Sequence, residues 1–328
     1  MRRLLAGLLL TAVSSALLIR VIDWSTTGTV LQAADWKFIV LAVSCLVVSL
    51  AAKTARWRLL LPSDAPVTTP RLYRILHISF LLNNVLPARL GDVARIALTT
   101  KQPGVRLGHV ISSMLTERVT DAITLIACFV LVSPFLPIPD DYLPWLHRAW
   151  IGIAMLVALG VVSMSLRRQL GRIGGRLASS RLLPGNRRLR EEAASFREGL
   201  RQLVSRQHVI RIWGWSGAAW LGAFAINYLL MRALHIEAPV AVAVLLTCTT
   251  NLAMLLPSSP GYVGVFHAAA TLSLIPFGVE SGQALGFAIL AHLVNVLPVS
   301  ILGAAFLLLG RESLNLRGSR AAQAAQAD

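Results

Sequence analysis

Acid is what this chain has least of. Fifteen Asp and Glu stand against 31 Lys and Arg, and charged residues of both signs make up only 14% of the 328. Soluble domains carry about 25%. With 55% apolar residues and a mean hydropathy of +0.67, the chain does not read as a water-soluble fold. Cysteine is scarce too. Cys45, Cys128 and Cys248 lie far apart inside apolar runs, a pattern that excludes a disulfide framework or a Cys/His metal set and reads as small buried residues. Also missing are a Walker loop, a GxSxG elbow, a dinucleotide fingerprint and an HExxH pair. These absences argue against an ATP-driven pump and a soluble catalytic domain. They name no catalytic residue, metal or cofactor.

What is present is long apolar runs. Several of about 17 to 25 residues match a hydrocarbon core of about 30 Å. In lipid the backbone must satisfy itself, so the expectation is an all-α polytopic membrane protein. The runs fall at 4–22, 36–52, 75–87, 91–99, 119–136, 149–166, 212–230, 240–256, 261–277 and 284–309. Residues 1–311 read as one membrane domain, and the alanine-rich tail 312–328 as disordered and cytoplasmic. The N-terminal "MRRLLAGLLLTAVSSALLIRVIDW" resembles a signal peptide, but its length and the lack of a cleavage site favour an uncleaved first span.

A net charge of +16 would suit nucleic acid, but its placement does not. Twelve arginines and three glutamates fall between Arg167 and Arg211, just after an apolar run. That is the signature of a cytoplasmic juxtamembrane loop facing anionic lipid. Within it, "LREEAASFREGLRQLVSRQ" repeats Leu189, Ala193, Phe196, Leu200 and Leu203 at helical spacing. This predicts an amphipathic helix, either on the leaflet or packed on the bundle. Arg2 and Arg3, then Lys53, Arg56, Arg58, Arg71 and Arg74, then Arg89, Arg95, Lys101 and Arg106, and finally Arg311, Arg317 and Arg320 mark further basic loops. The positive-inside rule puts all of these, and both termini, in the cytoplasm of a bacterial inner-membrane protein.

This map forces a reversal. Residues 75–98 must enter and leave on one side, yet are too few for two spans at about 1.5 Å per residue. A re-entrant helical hairpin follows. By the same reasoning 240–277 is a hairpin from the other side, or a full crossing. The expected total is about six full spans plus two broken hairpins. Both breaks read Leu-Pro-x-x-x-Gly-x-Val, in "NVLPARLGDV" (84–93) and "MLLPSSPGYV" (254–263). Interrupted apolar segments of opposite orientation are the pattern of inverted-repeat transporters.

Polar residues gather at these breaks. In "LPARLGDVARIAL", Pro87 ends one half-helix and Gly91 opens the next, with Asp92 in its first turn. Arg89 and Arg95 either hold a phosphate, which a guanidinium binds bidentately, or pair with Asp92 and snorkel. In "LLPSSPGYVGVFHAAA", Ser259 is placed to cap and Pro260 to open a helix whose first turn lacks acid. With Ser258 and Gly261 beside it, that N-terminus would attract an anion, unless it is an ordinary capped start. "MLTERVTDAITLI" puts Glu117, Arg118 and Asp121 at one end of a run, as a cavity-facing set or an interfacial ion network. Asn83, Asn84, Asn227, Asn251 and Asn295 suit interhelical hydrogen bonds. Asn84 and Asn251, each just before a break, are also placed to line a path. His267 and His292 read as packed histidines. Gly278, Gly282 and Gly286, spaced by four, read as a helix-packing stripe.

Together "NNVLPARLGDVARI", "ERVTDAI" and "LLPSSPGYVGVFHAA" resemble the membrane region of lysylphosphatidylglycerol synthases, a flippase-like family with stand-alone members, some associated with hopanoid synthesis. The resemblance spans roughly 4–309. It implies lipid movement across the bilayer, with an acidic residue at Asp92 and arginines at Arg89 and Arg95. The family's usual small residue and glutamate give way here to Tyr262 and His267. The synthases carry a soluble aminoacyl-transferase domain after the membrane part. Nothing corresponding stands before Asp328, so aminoacylation is not carried over.

The expected substrate is therefore a membrane lipid: an anionic phospholipid, hopanoid or polyprenyl-phosphate. Two other roles fit the same residues. One is a membrane-embedded transferase using Glu117, Asp121 and Asp92 as acid–base or metal-holding carboxylates. The other is a non-catalytic partner of a lipid-modifying enzyme.

Overall fold

The computed structural model describes residues 24–86, 89–136, 187–201, 206–254 and 260–309. The predicted runs 4–22 and 149–166, much of the basic loop and the tail lie outside the described residues. Among those described, the fold is all-α. The helices are α1 (Trp24–Gln32), α2 (Trp36–Leu59), α3 (Thr69–Val85), α4 (Leu90–Thr100), α5 (Leu107–Val132), α6 (Arg187–Arg201), α7 (Arg206–Ala233), α8 (Val240–Ala253), α9 (Val265–Leu274) and α10 (Ser281–Leu309). Four stretches are long and apolar enough to cross a bilayer: Trp36–Leu59, Leu107–Phe135, His208–Ala233 and Ser281–Leu309. These are four of the six predicted full spans. The outward faces keep Trp36, Leu131, Leu221, Ile301 and Leu308 exposed, which suits lipid and would be a liability in water.

The two hairpins are present. Helices α3 and α4, 17 and 11 residues long, reach about 25 and 16 Å at 1.5 Å per residue. Helices α8 and α9, of 14 and 10 residues, reach about 21 and 15 Å. None of the four matches a core of about 30 Å, so the second pair is also short of a full crossing. Both hairpins lean on α10, which packs against α3 and α9. At Gly303 of α10 an added Cβ would lie 2.5 Å from the His77 carbonyl oxygen and 2.8 Å from Leu81 Cβ. The absence of a side chain there is what lets α3 approach.

Helices α2 and α7 form the most extensive pair. Asp35 starts α2 by accepting from the Lys37 N–H (3.0 Å), and its own N–H donates to the Ala233 carbonyl at the end of α7 (2.9 Å). Further along, Ser49 Oγ donates to the Ala219 carbonyl (2.7 Å), while a Cβ on Gly222 would meet Ser49 Cβ at 2.9 Å. Small residues and a hydroxyl at a close crossing are how helices associate in lipid. Beyond α2, the Arg58 guanidinium donates to the carbonyls of Pro62 and Ala65 (3.0 and 3.1 Å), satisfying the turn that Pro62 creates.

Two readings of the sequence change. Gly278 ends the turn after α9 with φ 78°, with nothing within 4 Å of where its Cβ would be. It is a turn glycine, not part of a packing stripe. The amphipathic segment of the basic loop, for its described part, lies on the bundle as α6 against the start of α5. Glu192 accepts the Gly108 N–H (2.7 Å), Glu191 faces Arg106 (3.7 Å) and Glu198 faces His109 (3.6 Å). The N-terminus of α5, with its orphan N–H groups, is capped by an acidic residue from another helix.

Candidate functional site

Helix α3 ends at Val85, and the return helix α4 of the first hairpin opens at Leu90. It starts against the outgoing helix so closely that a Cβ on Gly91 would overlap the Ser79 carbonyl. Any side chain at 91 would push the hairpin open. Arg89 takes the left-handed conformation (φ 54°, ψ 41°), which costs an L-residue about 1–2 kcal/mol. It is held there by the second hairpin. Its Nη2 donates to the Met254 carbonyl at the end of α8 (2.5 Å), and its guanidinium lies 5.8 Å from the Tyr262 ring centroid.

Tyr262 is itself left-handed (φ 59°), as is Gly261 (φ 69°). The two breaks therefore face each other. A Cβ on Gly261 would sit 3.2 Å from the Asn84 carbonyl oxygen. Asn84 Nδ2 donates to Ser300 Oγ (3.0 Å), and His292 Nε2 lies 2.7 Å from the Gly261 carbonyl, which can only accept. The matched motif glycines do different work: Gly91 is helical and needed for closeness, Gly261 for its backbone angle. Ser258 and Ser259 lie outside the described residues. The α-helix itself begins at Val265, because positive φ at Gly261, Tyr262 and Gly264 cannot continue a helix from Pro260. His267 Nδ1 accepts the Gly264 N–H (3.3 Å), the role that Glu or Gln plays at the third position of a capping box. Asn251 spends its amide on the Thr247 carbonyl one turn back (2.8 Å).

A second polar group joins α2, α4, α5 and α7. Arg56, fully buried, grips Asp121 with two nitrogens (2.6 and 3.2 Å) and donates to Ser216 Oγ (3.0 Å). Arg95, 4% exposed, holds Glu117 (2.7 and 3.4 Å) with its guanidinium 3.8 Å from the Trp57 ring centroid. Arg118 pairs with Asp92 (3.3 Å), which also accepts from Asn83 Nδ2 (3.2 Å). Trp220 Nε1 donates to Asp121 (3.2 Å), and Lys53 Nζ stands 5.5 Å from the Trp220 ring centroid.

The geometry brings Asn84, Arg89 and Gly261 together at the breaks, and Asp92, Arg95, Glu117, Arg118 and Asp121 into the network. It does not pair Arg95 with Asp92, because Glu117 from α5 lies closer to Arg95. Helix α5 starts twelve residues before the predicted run, so Glu117 sits about 15 Å along it rather than at its end. Sequence reasoning placed Lys53 and Arg56 in a loop and passed over Trp57, Ser216 and Trp220. A signal was available. Arg56 and Trp57 lie three and four residues after Lys53, and Glu117–Asp121 and Ser216–Trp220 are each four apart, so each set lies on one helical face.

An all-helical chain with apolar spans, two broken hairpins meeting in the bundle and a buried ion network is an integral membrane protein with a polar interior. The family model described as "Lysylphosphatidylglycerol synthase TM region" matches residues 4–303. The chain belongs to that family, which sets it in membrane lipid metabolism or transport. Comparison with curated proteins and with solved structures gives no match.

Proposed function

We propose that this protein moves an anionic lipid across the bilayer, the head group passing the polar interior while the acyl chains stay in lipid. The observation that carries this is the meeting of the two breaks. Non-helical backbone at membrane depth is tolerated only where protein or a wet cavity shelters it, and here Arg89 of one break closes on Met254 and Tyr262 of the other. Among the described residues the Arg89 guanidinium meets one neutral carbonyl and one ring and no carboxylate, so an anionic head group is a better partner than either. In this reading the basic loops and both termini face the cytoplasm of the inner membrane. The transferase reading is less well supported, since Asp92, Glu117 and Asp121 are each engaged by a guanidinium.

The test is head-group accessibility in proteoliposomes. A fluorescent, reducible head-group label on phosphatidylglycerol is quenched from outside by an impermeant reductant. Wild-type protein should expose the inner-leaflet half of the label, and Arg89→Gln should slow this at least tenfold at equal reconstitution. Wild-type vesicles no faster than protein-free ones would end the proposal.

A further inference from the structure

The ion network does not balance. Lys53, Arg56, Arg95 and Arg118 bring four positive charges against Asp92, Glu117 and Asp121. Three guanidiniums take the three carboxylates. Lys53 is left with none within ion-pair distance among the described residues. It is half-buried, one turn from the fully buried Arg56 on the same helical face. Its electrostatic neighbours are Asp121, Arg56, Glu117 and Arg118, and its closest aromatic contact is the Trp220 ring.

An ammonium without a counter-charge in a membrane-embedded bundle is costly. A ring face repays about 0.5–2 kcal/mol of that. Trp220 offers nothing beyond its ring face, since an indole N–H only donates, here to Asp121, and an ammonium cannot accept. Among the described residues, Lys53 is thus a cation with no ion-pair partner.

From this we infer that Lys53, backed by Trp220, is a binding site for one singly charged phosphate diester. The site rests on the lipid-transport reading and names the head-group chemistry it would take. One negative charge neutralises the cluster. A dianionic monoester would overshoot it, and a zwitterionic head group would bring a second cation toward Arg118, which is half exposed. An ammonium suits this role because it binds phosphate as a point charge on a flexible stem, with no fixed fork to satisfy.

Native mass spectrometry of the full chain in detergent, titrated with lipid, tests this. The probes are phosphatidylglycerol, phosphatidic acid, phosphatidylcholine and inorganic phosphate. Wild type should bind one phosphatidylglycerol at least fivefold tighter than phosphatidylcholine or phosphatidic acid. Lys53→Gln should weaken that binding about tenfold, and Lys53→Arg should recover most of it. Inorganic phosphate competing as well as the lipid would overturn a head-group site. The unfolding midpoint of Lys53→Gln, measured alongside, should equal or exceed that of wild type, since a half-buried unpaired charge has been removed. Equal phosphatidylglycerol binding by wild type and Lys53→Gln overturns the inference, as does a drop in binding that tracks lost stability. Intact translocation with unaltered Lys53→Gln binding refutes this site alone. Selective binding lost in Lys53→Gln without translocation refutes the transport reading alone.

Discussion

Arg56 is where stability is most exposed to a single change. Its side chain is wholly buried, and that of Asp121 is 21% exposed. Replacing Arg56 with leucine removes two hydrogen bonds to Asp121 and one to Ser216. Breaking a buried ion pair from one side costs about 3–5 kcal/mol, mostly from the orphaned partner. Asp121 would keep the Trp220 N–H and a little solvent, so the expected loss is near the lower end, about 3 kcal/mol. Removing both charges in Arg56→Leu/Asp121→Leu leaves no orphan. The double variant should then be more stable than the sum of the singles by about 1–3 kcal/mol. Unfolding by sodium dodecyl sulfate in mixed micelles, followed by tryptophan fluorescence, gives all four corners of the cycle. An Arg56→Leu loss below about 0.5 kcal/mol, the range of an uninvolved surface change, would refute the reasoning, as would strict additivity.

Other expectations follow from single contacts. Gly91→Ala drives a methyl group into the Ser79 carbonyl and should cost about 1–3 kcal/mol by overpacking, seen in the same titration. Arg89→Gly should be about 1 kcal/mol more stable than Arg89→Ala, since both lose the Met254 contact but only glycine accepts φ 54° without cost; equal midpoints would show that residue 89 relaxes. Asn227→Ala removes the α7–α8 hydrogen bond to Thr247 Oγ1 (2.8 Å) and should cost about 0.6–2 kcal/mol. Glu192→Ala uncaps α5 at about 0.5–2 kcal/mol, and hydrogen exchange should rise at Gly108 while α2 stays protected.

The four described spans and the two pairs of short helices were legible because they follow from length and hydropathy. The hairpin at 75–98 needed only a count of residues against the bilayer. Partner choice was not legible. Asp92 and Arg95 are three apart, a spacing that pairs residues on one face, but Arg95 reaches Glu117 and Asp92 reaches Arg118, and both partners lie on α5. Helical spacing shows which residues share a face, not which helix that face meets. Lys53 and Arg56 were read as loop charges because an apolar-run count stops at the first cation. The helix runs on to Leu59, since partly buried carboxylates on α5 accept what lipid would not. The left-handed backbone fell on Arg89 rather than on the nearby glycine because Gly91 was already committed to the α3 contact.

The latch and the network share one helix. Arg89, Asp92 and Arg95 all belong to the first turns of α4 or its cap, within about 9 Å along the axis. Arg89 holds the second hairpin, while Asp92 and Arg95 hold α5. A shift of α4 moves the backbone that carries all three contacts together. Opening the breaks while leaving the ion network intact would need α4 to bend between Arg89 and Asp92. Gly91 is the only glycine there, and it is pinned against the Ser79 carbonyl. The two polar regions are thus mechanically one. A cysteine pair that locks α4 to α5 should hold the Arg89 latch closed as firmly as a lock across the breaks themselves.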